Sequence, residues 1–451
     1  MLHVSTASQT DDREINKIIP TGSLIPFVLV TVLFSLWGIV HNLNDVLIRQ
    51  FMKSFAISRL EAGLVQSSFY MGYFLLAFPS ALLMRRWGYK AGFVVGLLLF
   101  SSGAFLFLPA AEAQSYQFFL LALFIIAAGA SCLETASNPF IAQLGTPGTS
   151  ELRLNFSQAF NPLGSITGVL IGTIFIFSGI ELKPDQIDAM KSGHVYDAYL
   201  RSETLRIVKP YMLLGVVALI WALLIARTKF PEITGDRKDD AEPTGRVRDL
   251  LRYPHFLAAV VAQFMYVGTQ VSTWSYFIQY VQEYAHEPEK VAGYFLTGTL
   301  GAFAAGRFSS AYLMKYVNPR ILMGAYSVIN LVLLCFGVFS PGWTGIWAIF
   351  STSFFMSLMF PTIFATGLRG LGENTKIGGS MIVMGIVGGA VLTPLMGWIS
   401  MVTRSIAIAY LIPMSGYVAV MLYAFYGATL SPRLKMNAQT ARGGRGGSHL
   451  T

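Results

Sequence analysis

An acidic residue lies within an apolar stretch of the sequence. Glu134 occurs in the string GASCLETASNPF, residues 129–140, and apolar residues flank this string on both sides. A carboxyl group can take up or release a proton, and burial disfavours its charged form. Proton occupancy of Glu134 would therefore depend on access of water to the side chain. Ser137 and Asn138, three and four positions on, are expected to hydrogen-bond this carboxyl group in either form. A structural carboxyl group, paired with an arginine or a neighbouring helix, is the alternative.

A second set of polar side chains lies along the first apolar stretch. Trp37, His41 and Asp45 follow at four-residue intervals, and Asn42 is three positions before Asp45, so a helix would bring them onto one face. Such groups can donate to and accept from hydroxyl groups, and an aromatic face suits the apolar face of a sugar ring. His41 is equally compatible with a packed, hydrogen-bonded residue. Asp45 is predicted to close this helix, and a position near the external helix end, where a carboxylate costs little, is the alternative to a role in the site.

Neutral amides and aromatic residues recur further along the chain. Gln158 and Asn161 are three positions apart in the predicted fifth helix, and Gln270 and Trp274 are four apart in the seventh. This combination favours a neutral polyol as the ligand, because an anion would require a cation. Arg307 is the basic residue that falls well inside a predicted helix, and a gating or structural role is predicted for it. Some of the amides are expected only to join helices, through hydrogen bonds worth about 0.6 kcal/mol each.

The elements that carry these residues are apolar segments long enough to cross a membrane. Hydrophobic residues make up 54% of the chain and charged residues only 12%, about half the charged fraction of soluble proteins. A helix needs about 20 apolar residues to cross the hydrocarbon core. An all-α membrane protein with twelve transmembrane helices is therefore predicted. The predicted helices cover residues 24–47, 62–84, 91–110, 116–142, 154–178, 209–227, 255–281, 290–313, 320–339, 344–368, 377–400 and 406–428.

The two halves of the chain resemble each other. The string SALLMRRWGYK, residues 80–90, follows the second predicted helix, and SAYLMKYVNPR, residues 310–320, follows the eighth. Parallel halves with a short basic loop at this position resemble the major facilitator superfamily. Two pseudo-symmetric bundles of six helices are therefore predicted. The predicted segments are a cytoplasmic tail (1–23), the first bundle (24–228), a cytoplasmic linker (229–254), the second bundle (255–428) and a disordered cytoplasmic tail (429–451).

The formal net charge of +9 is interpreted by loop position. Most lysine and arginine residues fall in loops and tails that share one side of the membrane, and such an excess marks the cytoplasmic face. The basic residues therefore indicate a bilayer orientation with both termini cytoplasmic, and no nucleic-acid partner is predicted. The sequence has no nucleophile and base pair, metal-ligand cluster or phosphate-binding loop, so no enzyme, metal or cofactor is predicted.

Longer strings carry a more specific resemblance. NLNDVL begins at Asn42, GLVQSSFYMGYF at Gly63, CLETASNPF at Cys132, RLNFSQAFNPLGS at Arg153 and FPTIFATGLRGLG at Phe360. These strings resemble those of the fucose permease family, proton-coupled sugar symporters of the bacterial inner membrane.

The resemblance implies roles for individual residues. Glu134 would take up and release the coupling proton, and Asp45 would be a second protonatable carboxylate linked to sugar binding. Asn42, Gln158 and Asn161 match positions that line the sugar cavity of the family. Gln270 and Trp274 match lining positions in the seventh helix, and the helical spacing adds Trp37 and His41.

The predicted function is import of a neutral monosaccharide with a proton by alternating access, with the chain acting as a monomer in the lipid bilayer. L-Fucose is the first candidate. Galactose and glucose are also candidates, because Phe360 stands where fucose-transporting members of the family have a tyrosine. A sodium-coupled hexose carrier and a proton-coupled drug antiporter are the alternatives.

Overall fold

The computed structural model describes residues 19–20, 22–145, 150–231, 247–314, 316–371 and 374–427. The whole predicted C-terminal tail (429–451), and most of the predicted N-terminal tail (1–23) and linker (229–254), lie outside these residues.

Long helices make up most of the described part of the chain, and those that correspond to the predicted spans are numbered α1 to α12. They are α1 Leu24–Ser54, α2 Arg59–Met84, α3 Arg86–Glu112, α4 Tyr116–Gln143, α5 Phe156–Ile176, α6 Tyr196–Arg227, α7 Pro254–Ser275, α8 Glu289–Leu313, α9 Pro319–Phe339, α10 Trp343–Gly367, α11 Met381–Val402 and α12 Ile406–Phe425. All but α8 are long and apolar enough to cross a membrane. Helix α8 has 25 residues and therefore sufficient length, but its composition is more polar. The predicted all-α membrane architecture is confirmed.

Local sequence explains where several helices begin. Ser58 caps α2, because its hydroxyl accepts a hydrogen bond from the Glu61 amide while the Glu61 carboxylate accepts one from the Ser58 amide. The Ser115 hydroxyl caps α4 by accepting from the Phe118 amide. Near the start of α3 the chain turns at Gly88, whose φ is +78°. Glycine adopts this left-handed conformation without the steric cost that a Cβ atom would add.

Helix α1 is longer than predicted, and this changes the environment of Asp45. The sequence predicts an end at residue 47, but α1 continues to Ser54 because Ile48 and Phe51 are fully buried in the next two turns. Asp45 is therefore an interior residue of the helix and is only 3% exposed. The prediction that Asp45 closes the helix is wrong, and the alternative of a carboxylate at a helix end is not observed.

Helix α6 also begins earlier than predicted, at Tyr196 where the sequence indicated residue 209. Its first turns are polar, and hydropathy alone therefore misses them. Glu203 is buried there and pairs with Lys53 of α1 at 3.2 Å. An ion pair within the fold thus supports the polar first turns of α6.

Contacts divide the chain into two units, and the first comprises residues 1–240 together with 288–297. Within it α4 packs along α2 and α3, α5 along α1, and α6 against α3. The backbones of α1 and α5 approach closely, since a Cβ atom on Gly164 or Gly168 would meet the carbonyl oxygen of Ser35 or Ile39. Close approach through small residues is typical of helix packing in membranes. This packing brings polar residues of α1, α2, α4 and α5 together.

The second unit comprises residues 241–287 and 298–451. Helix α7 lies in its centre and contacts α10, α11 and α12, while α9 contacts α10 and α12. Buried tyrosines join these helices: Tyr266 of α7 donates to the Met356 carbonyl oxygen at 3.0 Å, and Tyr410 of α12 donates to that of Thr273, also at 3.0 Å. The bundle limits predicted from the sequence, 24–228 and 255–428, remain predictions.

Candidate functional site

Asp45 has a buried amide partner on the neighbouring helix. The Gln66 side-chain nitrogen of α2 donates a hydrogen bond of 2.8 Å to Asp45 Oδ1, and Gln66 is only 1% exposed. A carboxylate in a low-dielectric environment needs such donors, because an unsatisfied buried charge is costly. Asp45 and Gln66 thus form a buried polar pair between α1 and α2.

Glu134 of α4 accepts a hydrogen bond from a tyrosine of α2, the helix that also carries Gln66. The Tyr73 hydroxyl donates to Glu134 Oε2 at 2.7 Å. The neighbours expected to bond this carboxyl group do not do so: the Ser137 hydroxyl donates to the Leu133 carbonyl oxygen and the Asn138 amide to that of Glu134 itself. Both therefore bond the backbone four residues earlier, as polar side chains in helices often do. Their predicted role towards the carboxyl group is not observed.

The imidazole of His41, on α1, lies among aromatic rings of α2. Its Nδ1 is 3.0 Å from the Trp37 carbonyl oxygen, and since a carbonyl can only accept, Nδ1 carries the hydrogen in this contact. The ring packs edge-on against Phe69 at 4.8 Å and Tyr73 at 5.0 Å. Trp37 is buried, with its ring 4.4 Å from that of Phe34. His41 thus touches the residue that bonds Glu134.

The predicted amides extend this group of residues towards α5. The Gln158 amide donates to Asn138 Oδ1 at 3.2 Å, which connects α5 to the turn after Glu134. The Asn161 amide lies 3.4 Å from the Phe34 carbonyl oxygen, and the Asn42 amide donates to that of Gly38 at 3.2 Å. The structure therefore gathers the first-unit residues of the prediction on adjoining faces of α1, α4 and α5.

The second unit holds a separate group around Phe303. The Phe303 ring packs edge-on against Trp274 at 5.3 Å, and the Arg307 guanidinium lies over the same ring at 5.1 Å. A cation over an aromatic face is a favourable contact. Trp274 Nε1 donates to Ser353 Oγ at 3.0 Å, and Gln270, one turn earlier on α7, is half-buried. The Trp274 indole and the Arg307 guanidinium thus contact the same Phe303 ring in this unit.

The sequence alone assigns no role to Gln66 and Tyr73, although both lie in the string GLVQSSFYMGYF. Their seven-residue separation places them on one helical face, and an amide inside an apolar helix is a signal that could have identified Gln66. Nor does it identify the buried charges of Lys53, Glu203 and Glu289, because all three lie outside the predicted helices. Among the described residues, no group of three or more metal-ligating side chains is present.

Comparison with known proteins supports the resemblance. The family model of the Major Facilitator Superfamily matches residues 23–390. The L-fucose-proton symporter of Escherichia coli (strain K12) is 41% identical over 407 residues, 89% of this chain and 92% of that protein. The glucose/galactose transporter of Brucella abortus biovar 1 (strain 9-941) is 30% identical over 401 residues, 88% of this chain and 93% of that protein.

A solved structure agrees with this relationship. The crystal structure of a Major Facilitator Superfamily transporter, FucP, in the outward conformation has a TM-score of 0.67 and 40% sequence identity, and covers 90% of this chain and 99% of that one. The chain therefore belongs to the Major Facilitator Superfamily and, within it, to the family that contains these L-fucose–proton symporters.

Proposed function

We propose that this chain is a sugar–proton symporter that imports a neutral monosaccharide, with L-fucose as the first candidate and galactose and glucose as the next. The relatives that carry the proposal are sugar transporters, two of them L-fucose-proton symporters by name. No reaction chemistry is assigned to the chain. Its task is to couple sugar movement to proton movement across the bilayer.

The contact between Glu134 and Tyr73 is the single observation that carries the proton coupling. A carboxylate that is paired with a cation cannot be protonated without leaving a buried charge uncompensated, at a cost of about 3 to 5 kcal/mol. Glu134 instead faces a neutral phenol. Protonation of this carboxyl group changes a charge-assisted hydrogen bond into a neutral one and leaves no unpaired cation. Glu134 is therefore suited to bind and release a proton in each transport cycle, and Asp45, bonded to neutral Gln66, is proposed as the second protonatable group.

Neutral polar and aromatic side chains support a neutral sugar as the substrate. In the first unit we assign Asn42, Asp45, Gln158, Asn161, Trp37 and His41 to sugar binding, and in the second unit Gln270 and Trp274. Amides offer both donors and acceptors to hydroxyl groups, whereas indole faces suit the C–H face of the ring. Arg307, which lies over Phe303, is proposed as a gating or structural residue.

The membrane potential can drive accumulation of the sugar through proton symport. One proton that moves through 100 mV releases about 2.3 kcal/mol. At about 1.36 kcal/mol per tenfold ratio, one proton per sugar would hold roughly a fiftyfold sugar gradient. Symport is therefore an adequate mechanism for uptake from a dilute supply.

The proposal is tested by adding sugar to de-energised membrane vesicles that contain the protein while the external pH is recorded. Alkalinisation with L-fucose, absent in vesicles without the protein and abolished by a protonophore, is the expected result. Alkalinisation with galactose or glucose in place of L-fucose would change the substrate but keep the coupling. Sugar uptake that follows sodium with no pH change would contradict the proton coupling. External acidification on adding an apolar cation would indicate the drug antiporter.

Orientation and assembly complete the proposal. The excess of lysine and arginine in the predicted cytoplasmic loops supports cytoplasmic N and C termini in the bacterial inner membrane, with the monomer as the transporting unit. A reporter that is fluorescent only in the cytoplasm, fused to either terminus, is expected to give a signal in both fusions. A dark fusion at either end would contradict this orientation.

A further inference from the structure

One face of α2 supplies hydrogen-bond donors to both carboxyl groups of the first-unit site. Gln66 and Tyr73 are seven positions apart and therefore lie two helical turns from each other on the same side. Gln66 donates to Asp45 of α1 at 2.8 Å, and Tyr73 donates to Glu134 of α4 at 2.7 Å. A single rigid helix thus connects two groups that belong to different helices.

The position of Tyr73 is held by contacts at its backbone and its ring. The Ser131 hydroxyl, one turn before Glu134 on α4, donates to the Tyr73 carbonyl oxygen at 3.0 Å. Next to it, a Cβ atom on Gly72 would lie only 2.6 Å from the Phe124 carbonyl oxygen, so the backbones of α2 and α4 are nearly in contact. His41 packs against the Tyr73 ring from the α1 side. The hydroxyl group therefore has little freedom to leave Glu134 unless the helices themselves move.

The chemical environment of Glu134 combines titratable and neutral groups. Tyr73 and Tyr70 approach from α2, His41 and Asp45 lie on α1, and Asn138 of α4 and Gln158 of α5 are neutral amides. A phenol that donates to an ionised carboxylate forms a bond about twice as strong as one to a neutral acid. Tyr73 therefore favours the ionised form of Glu134, and Gln66 acts in the same sense on Asp45.

We infer that Tyr73 and Gln66 are positioning residues of proton coupling, which set how readily Glu134 and Asp45 release their protons during transport. The inference rests on the proposed function, since it has meaning only if the carboxyl groups exchange protons during sugar transport. It assigns to α2 a role in coupling that is separate from contact with the sugar.

The test compares two matched tyrosine variants, Tyr73→Phe and Tyr70→Phe. Both remove one hydroxyl group from α2, but among the described residues the Tyr70 hydroxyl forms no hydrogen bond to a carboxyl group. Sugar counterflow, in which labelled and unlabelled sugar exchange across vesicles, is measured as a function of pH. If sugar binds the protonated carrier, loss of the Tyr73 donor extends binding to more alkaline conditions. The alkaline limb of the Tyr73→Phe profile is expected to shift to higher pH by about half to one pH unit. The Tyr70→Phe profile is expected to coincide with that of the parent.

The variant Gln66→Met tests the second donor independently, because it preserves the length of the side chain and removes the amide. Its alkaline limb is expected to move in the same direction. Thermal unfolding of each purified variant shows whether it is folded, and if Tyr73→Phe does not fold, the Gln66→Met profile decides. Profiles of folded Tyr73→Phe and Gln66→Met that coincide with the parent profile would overturn the inference. A shift in only one of them would overturn the role of the other residue.

Failure of this inference is distinguishable from failure of the proposed function. The parent protein is first assayed for sugar-dependent alkalinisation. No pH change in the parent rejects proton coupling itself, whereas alkalinisation by the parent together with unshifted variants rejects only the role of α2.

Discussion

Lys53 and Glu289 form an ion pair of 3.0 Å although 236 positions separate them in the sequence. The same ammonium group lies 3.2 Å from Glu203 and donates to Ser178 at 2.7 Å. The side chains of Lys53, Glu203 and Glu289 are 8%, 3% and 0% exposed. Because residues 288–297 cluster with the first unit, this buried group ties the start of α8 to α1 and α6.

The charge balance of this group predicts unequal effects of two substitutions. Lys53→Met would leave two carboxylates without their shared cation, and removal of one partner from a buried pair costs about 3 to 5 kcal/mol. Glu289→Gln would retain the pair of Lys53 with Glu203, and the amide oxygen of glutamine can still accept from the Gly179 amide, now 2.9 Å from Glu289 Oε1. Its expected cost is about 1 kcal/mol or less.

Thermal unfolding of the purified protein in detergent, followed by tryptophan fluorescence, measures this difference. The exposed Lys209 of α6 provides the control, since Lys209→Met removes a lysine that is not buried. A large fall in Tm for Lys53→Met and a small one for Glu289→Gln is expected. Equal falls would show that the shared lysine does not hold the two carboxylates.

Glu134→Gln is expected to retain sugar exchange and to lose accumulation against a gradient. The amide oxygen of glutamine can still accept the hydrogen bond of the Tyr73 hydroxyl, so the geometry of the site is preserved. Glutamine cannot bind or release a proton, so sugar movement is no longer coupled to the proton gradient. Counterflow and accumulation under an imposed pH gradient are measured in the same vesicles.

The matched control for that prediction is Glu61→Gln, because Glu61 is an exposed acid at the start of α2 and glutamine also serves in a capping box. It is expected to keep both activities. Accumulation at the parental level by Glu134→Gln would mean that another group carries the coupling proton.

Phe360→Tyr tests the departure from the fucose-type pattern. Phe360 is half-buried on α10, with its ring centre 6.5 Å from that of Tyr266. A hydroxyl group at this position could bond a sugar hydroxyl, and one such bond contributes about 0.5 to 1.5 kcal/mol. The counterflow rate with L-fucose relative to galactose is expected to rise by up to about tenfold. Phe339→Tyr, at the exposed end of α9, is expected to leave the ratio unchanged, and the same ratio in both variants would exclude Phe360 from substrate choice.

The fold was predictable from the sequence because membrane helices are determined by length and composition. Each must satisfy its own backbone hydrogen bonds, so an apolar run such as that around Glu134 indicates a helix without knowledge of its neighbours. The same rule failed at the ends of α1 and α6. Lys53 and Glu203 are polar in the sequence, and only their contact in the folded protein makes a buried helical position acceptable.

The site was predictable in its carboxyl groups and less so in their partners. Glu134 is conspicuous because an acid in an apolar helix is expensive and usually functional. Its partner Tyr73 could not be deduced, since the partner depends on how α2 is rotated and how far it is shifted along α4. Local rules instead pointed to Ser137 and Asn138, whose short side chains bond their own helix backbone. Sequence therefore identifies groups that carry charge more readily than groups that control it.

Gly164 is expected to be indispensable for the packing of α5 against α1. A Cβ atom there would meet the Ser35 carbonyl oxygen, and backbone atoms cannot rotate away as a side chain can. The interface nearby contains the hydrogen bond from the Ser35 hydroxyl to the Phe160 carbonyl oxygen at 3.0 Å and the contact of Asn161 with Phe34. Gly164→Ala would separate the helices, at a cost of about 1 to 3 kcal/mol, and would displace the Asn161 amide.

Gly301→Ala is the matched substitution for this prediction. Gly301 also lies in a helix, α8, but an added Cβ atom has no neighbour within 4 Å. Alanine is favoured over glycine in a helix by up to about 1 kcal/mol, so Gly301→Ala should keep or raise Tm, whereas Gly164→Ala should lower both Tm and the rate of sugar counterflow. A lower counterflow rate with an unchanged Tm would show that Gly164 acts on the sugar site without supporting the fold. Parental values of both quantities in Gly164→Ala would show that α1 and α5 are further apart than the structure places them.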